Sequence, residues 1–282
     1  MASRHAPHFF SYGLPTFIIL GVVFLGALAI TGGLIPSKRK PPPSNYQIGE
    51  LDIPPGSSSQ FNLQLNTLKF KNITPPCENT LTLDFLLDIT GSMNSLTPSG
   101  RTKLSRLKEA VLAITQNLTD DSVIGIQAFN SNIISQPAKM DIIPISHYGS
   151  VKGLIPSRVN ALIAGGQTPT YYALVFSYNK LAGALPIFPG RKFNFILISD
   201  GEPVPLSQDP RKFTPNPANQ IRSLVGIENV YTVGVYDTAQ AGNPALSDLL
   251  KSIASSPSKY YEAESADQIQ ALLSAIKTDI CN

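Results

Sequence analysis

From Thr80 onward, apolar runs of strand length alternate with stretches of helical period. "LTLDFLLD" (81–88) and "SVIGIQAF" (122–129) predict buried strands. So do "KFNFILIS" (192–199) and "VYTVGVY" (230–236). "KMDIIPIS" (139–146), interrupted by a proline, fits an edge strand, and "KYYEA" (259–263) a short last one. Between them, "TKLSRLKEAVLAITQNL" (102–118) places Leu104, Leu107, Val111, Ile114 and Leu118 on one helical face. Further helical patterns cover 150–163, 170–183, 217–227, 245–255 and 265–280. Strands alternating with helices predict an α/β fold: a doubly wound, mostly parallel six-stranded sheet with helices on both faces.

The region before Thr80 reads differently. Residues 5–37 contain no Lys, Arg, Asp or Glu, and Leu14–Ile35 is long enough as a helix to cross a hydrocarbon core of roughly 30 Å. A membrane anchor over 14–35 is expected, behind a short tail over 1–13. A cleaved signal peptide competes, although the apolar stretch exceeds the usual core length and no clear small-x-small site follows it. Residues 36–76 are rich in Pro, Ser and Asn and predict a stalk, with one alternating segment, "FNLQLN" (61–66), that could form a short strand. The folded domain then runs over 77–282.

Charge and cysteine placement bear on compartment. Residues 1–40 hold four of the 22 basic residues and no acid, so 18 bases against 19 acids leave the remainder at −1. Without a basic stripe, nucleic acid is not an expected partner. Cys77 precedes the first core strand and Cys281 is the penultimate residue. A bridge between them would tie the ends of the domain together and imply a compartment outside the cytosol, the alternative being two unrelated thiols. Lys38, Arg39 and Lys40 directly after the anchor argue for the opposite orientation by the positive-inside tendency, which long translocated domains override. The expected placement is a single-pass membrane protein with the domain on the extracytoplasmic side.

Ligands of open parallel sheets bind outside the carboxyl ends of the strands. There the chain concentrates oxygen donors. "DITGS" ends the first strand with Asp88, Thr90 and Ser92; "GGQT" places Thr168 in a loop that opens a helix; "ISDG" puts Asp200 at the end of the fourth strand. Two carboxylates and several hydroxyls, without imidazole or thiolate, suit a hard cation such as Mg²⁺. Two carboxylates only balance a divalent charge, so an acidic residue from outside could complete the shell.

In order and placement these motifs resemble the von Willebrand factor type A (vWA) domain with its metal-ion-dependent adhesion site. The resemblance covers roughly residues 80–281 and implies metal ligation by Asp88, Thr90, Ser92, Thr168 and Asp200. Thr168 is preferred to Thr170 because it follows the glycine turn directly. It further implies Mg²⁺, with Mn²⁺ or Ca²⁺ possible, and binding of an acidic residue of a protein ligand in adhesion or surface-complex assembly, not catalysis. The terminal cysteine pair also resembles secreted members of that family. Tyr171, beside Tyr172, and Glu202 are candidates for the ligand surface, although packing of one tyrosine against the sheet competes. The proline-rich stretch 201–217 is expected to rim the crevice.

Other classes fit less. A surface subunit whose metal only stabilises the fold is one alternative. An aspartyl-phosphate enzyme with Asp88 as nucleophile is another, but the downstream Gly-Asp-x-x-x-Asp pattern of that chemistry is absent and "GGQT" would be unexplained. No Gly-x4-Gly-Lys-Ser/Thr loop occurs, so a bound nucleotide is not expected. His5, His8 and His147 suggest neither a triad nor a zinc site.

Overall fold

A computed structural model describes residues 81–236 and 243–281. The expected anchor, the stalk, "FNLQLN" and Cys77 lie outside the described residues. The chain divides into Met1–Asn66 and Thr67–Asn282, and every described residue belongs to the second unit. Among the described residues no helix is long and apolar enough to cross a membrane.

Six strands form one sheet: β1 (Thr82–Asp88), β2 (Val123–Phe129), β3 (Asp141–His147), β4 (Phe193–Ser199), β5 (Ile227–Val235) and β6 (Tyr260–Ala263). They lie in the order β3-β2-β1-β4-β5-β6. All pair in parallel except β3, which runs antiparallel on the edge. Its pairing with β2 slips between Ile126 and its neighbours, the region where Pro144 removes a ladder donor. The strand order reverses between β1 and β4, the topological switch point where open sheets bind ligands.

The helices are α1 (Lys103–Thr115), α2 (Pro137–Met140), α3 (Tyr148–Val151), α4 (Ile155–Asn160), α5 (Thr170–Ala184), α6 (Pro217–Ser223), α7 (Pro244–Ile253) and α8 (Ile269–Cys281). One face of the sheet packs Leu83, Phe85 and Leu87 of β1 against Leu104, Leu107, Val111 and Ile114 of α1 and Leu273 and Ile276 of α8. The opposite face packs Leu86, Phe195 and Leu197 against Leu174 and Leu181 of α5, Ile221 of α6 and Leu249 of α7. Each such side chain, fully buried, contributes about 1.5–3 kcal/mol.

Three boundaries differ from the sequence pattern. The helix expected over 150–163 is broken into α3 and α4, with Gly153 between them and Pro156 in the first turn of the second. The edge strand starts at Asp141, not Lys139, because Pro137 opens a single helical turn through Met140. The helix expected over 217–227 stops at Ser223, and β5 begins at Ile227 directly after Gly226, whose φ of +108 turns the chain into the strand.

Candidate metal centre

The carboxyl end of β1 is buried: Asp88 is 0% exposed and Thr90 1%. The Thr90 amide donates to Asp88 Oδ1 at 2.9 Å, and Ser199 Oγ of β4 donates to Oδ2 at 2.6 Å. The chain then makes a 3₁₀ turn over Gly91–Asn94, pinned by buried Met93, which leaves Ser92 at the surface. Ser92 Oγ lies 3.0 Å from Thr90 Oγ1 and donates to Asp200 Oδ1 at 2.7 Å. The Ser92 hydroxyl thus joins the Asp200 carboxylate to Thr90, whose amide holds the Asp88 carboxylate across the switch point.

The "GGQT" loop is fastened to this edge by backbone. Gly91 N donates to Gly166 O at 3.0 Å and Gly165 N to Ile89 O at 2.9 Å. Gly166 has φ +72, and a Cβ there would stand 2.6 Å from Ser131 Oγ, so no other residue fits without strain. Thr168 is 5% exposed. Its Oγ1 and Ser92 Oγ converge on Gly201, lying 3.3 and 3.9 Å from where a Cβ would stand. The neighbouring Thr170 turns its hydroxyl back to the Thr168 carbonyl, 3.4 Å away, and begins α5. Thr168 Oγ1 and Ser92 Oγ thus both border Gly201 at the end of β4.

Two features of this edge are not apparent from the motifs. The first is the support beneath it. Asn130, just past β2, accepts the amides of Asn132 and Ile133 on its Oδ1 and donates its Nδ2 to Ile89 O. Ser131 Oγ accepts the Gln167 amide at 2.8 Å. The signal was the turn-forming "NSN" directly after a buried strand. The second is Lys103. Its Nζ stands 3.0 Å from Asp200 Oδ2, with both side chains almost fully buried, at 2% and 0% exposed. Lys103 occupies the first turn of α1, where the helix dipole disfavours a cation. That misfit was the legible sign that a carboxylate faces it.

Burial, and then the facing Asp200 carboxylate, push the Asp88 carboxyl well above the ordinary range, against the opposing pull of hydrogen bonds from Ser199 and Thr90. Among the described residues no group of three or more His, Cys, Asp and Glu comes together. The candidate donors are the two carboxylates of Asp88 and Asp200 with the hydroxyls of Thr90, Ser92 and Thr168. Oxygen donors of this kind suit a divalent cation.

The candidates for a ligand surface are engaged locally. The Tyr171 ring stacks on Phe213 of the 201–217 loop, with centroids 3.5 Å apart, so it packs against that loop and not the sheet. Tyr172 is the exposed member of the pair, at 53%. Glu202 accepts from Asn243 Nδ2 at 2.8 Å, joining the loop to the start of α7. The 201–217 stretch is not featureless: it holds 3₁₀ turns at Leu206–Gln208 and Pro210–Lys212, the second capped by Asp209 and closed by the Asp209–Arg211 pair. Val204, Leu206 and Tyr172 expose apolar surface. Cys281 is the last residue of α8 and no free cysteine stands among the described residues.

No family model matches the chain, and no curated protein matches it. Solved structures do. The pilus adhesin SpaC from Lactobacillus rhamnosus GG, in its open conformation, aligns with TM-score 0.55 at 18% identity over 71% of this chain and 30% of that one. The vWF domain of the type V pili tip protein Mfa5 from Porphyromonas gingivalis aligns with TM-score 0.52 at 12% identity, over 71% of this chain and 94% of that one. The D319A mutant of the PilB minor pilin from Streptococcus sanguinis aligns with TM-score 0.51 at 15% identity, over 71% of this chain and 61% of that one. The chain thus spans about 30% of the SpaC adhesin it resembles. These likenesses establish a vWA-like fold.

Proposed function

We propose that this is a surface-displayed binding domain that captures an acidic side chain of a protein ligand through a divalent cation, Mg²⁺ first, in adhesion or in assembly of a surface complex. One observation carries this: Asp88, Thr90, Ser92, Thr168 and Asp200 come from three separate segments to the switch-point edge with only two negative charges among them. A cation bound there supplies a Lewis-acidic position that a ligand carboxylate completes. Asp88 and Asp200 supply the charge that retains it, and Thr90, Ser92 and Thr168 add neutral oxygens. Ser199 and the Thr90 amide hold the Asp88 carboxylate in orientation. Exposed Tyr172, Val204 and Leu206 give a ligand apolar surface beside the acidic contact. The pilus adhesin and pilus-tip likenesses support this setting.

The apolar stretch 14–35 supports a membrane anchor, with the domain held outside the membrane on the 36–76 stalk. A Cys77–Cys281 bridge would close the domain ends in such a compartment. The test immobilises the full chain and probes it with paired peptides that differ only by Glu or Gln. The acidic member should be retained in Mg²⁺, released by chelator, and ignored by Asp88→Ala protein whose circular dichroism is unchanged. Retention indifferent to chelator and to the Glu–Gln difference would contradict the proposal.

A further inference from the structure

The Lys103 ammonium lies against Asp200 Oδ2, while Ser92 Oγ occupies Oδ1. Both oxygens of one of the two carboxylates in the donor set are therefore already engaged, one of them by a full positive charge inside the fold. We propose that Lys103 is a built-in counter-cation of the site: it makes a divalent metal bind weakly alone and strongly together with a ligand carboxylate. This inference rests on the metal-dependent binding proposed above.

The coupling is electrostatic. A divalent ion at this edge is attracted by Asp88 and Asp200 and repelled by the neighbouring ammonium, in surroundings where burial limits screening. The same ammonium attracts an incoming ligand anion. A carboxylate that joins the metal supplies negative charge that the chain withholds by placing a lysine there. Metal and carboxylate must then raise each other's affinity by the same factor, since the coupling is reciprocal. Lys103 meets the site through Asp200 Oδ2, so it acts on the charge of the site. The buried pair also fixes the position of the Asp200 carboxylate.

The test titrates the full-length chain with Mn²⁺ alone, then with Mn²⁺ in the presence of acetate, and compares Lys103→Met, Lys103→Arg and Lys108→Met. Lys108 lies on the same helix and donates to the Asn160 carbonyl instead, which makes it the control. The expected result is that Lys103→Met tightens Mn²⁺ binding on the order of tenfold or more, as loss of a nearby repelling charge requires. Acetate should tighten Mn²⁺ binding in the wild-type chain and help Lys103→Met much less. Lys103→Arg and Lys108→Met should follow the wild type. A Lys103→Met chain that folds only when Mn²⁺ is added would also support the proposal, since the metal would then replace the ammonium. Unchanged or weaker Mn²⁺ binding in Lys103→Met overturns it while leaving the metal site standing. A rise in Lys103→Arg equal to that in Lys103→Met overturns it too, because packing and not charge would be responsible. No Mn²⁺ binding in any of the four chains removes both this proposal and the metal-dependent function.

Discussion

Strand β1 buries two carboxylates on the same face, Asp84 and Asp88, four residues apart and each 0% exposed, yet they are surrounded differently. Asp84 sits at mid-strand beneath α5. Its two oxygens accept from Gln127 Nε2 at 3.0 and 2.8 Å, and Gln127 Oε1 in turn accepts from Ser177 Oγ of α5 at 2.6 Å. Gly125 of the neighbouring strand leaves the room, since a Cβ there would come within 2.2 Å of Asp84 Oδ1. Asp88, at the strand end, has hydroxyls and a second carboxylate around it instead. The inner cluster closes on itself through a neutral amide. The outer one gathers two carboxylates, a buried ammonium and several hydroxyls at one strand edge. Position along one strand thus separates a carboxylate satisfied within the packing from one set among the oxygen donors of the candidate metal site.

The largest effect expected from disturbing this contrast is at the outer cluster. Asp200→Ala removes the buried carboxylate that faces Lys103, and losing one member of a buried pair costs about 3–5 kcal/mol. Urea denaturation should show it. Asp84→Asn, which keeps the shape and an acceptor for Gln127, should cost far less at pH 5.

The inner cluster should reveal itself through pH. Burial pushes the Asp84 carboxyl up to about 7, partly offset by the Gln127 hydrogen bond, with Asp141 raising it further and Lys180 lowering it. The unfolded chain gives up this proton near the ordinary carboxylate value while the folded chain keeps it. Stability conferred by Asp84 is therefore greatest at low pH, declines from about pH 4 to about pH 7 by up to roughly 1.4 kcal/mol per pH unit, and is level above. Asp84→Asn should flatten that part of the pH–stability curve. An unchanged slope in the variant would show that Asp84 is not its source.

A smaller effect is expected at the loop that carries Thr168. Gly166→Ala places a Cβ at φ +72 and 2.6 Å from Ser131 Oγ, a strain of about 1–3 kcal/mol. Thermal unfolding should register this, and Mn²⁺ affinity should fall with it because Thr168 moves. Asp84→Asn, remote from that loop, should leave Mn²⁺ affinity alone.

Much of this architecture is legible in the residues. The runs at 81–88, 122–129 and 192–199 are apolar on both faces, as a central parallel strand must be, and they became β1, β2 and β4. The short helices were less legible, because Pro137 and Pro156 act within one turn, where a period of 3.6 residues has no length to register. At the site, "DITGS", "GGQT" and "ISDG" announce themselves by placing oxygen donors at strand ends. Asn130, Ser131 and Lys103 leave fainter marks, a turn-forming "NSN" and a cation in a first helical turn, and what each supports is recognised only by what it faces.

The most direct measurement of the central claim is Mn²⁺ binding to the full-length chain, followed by electron paramagnetic resonance and water proton relaxation. The account predicts one Mn²⁺ per chain, displaced by Mg²⁺, lost in Asp88→Asn, and retaining exchangeable water that acetate removes. Binding that survives Asp88→Asn, or bound Mn²⁺ with no water for a carboxylate to replace, would contradict it.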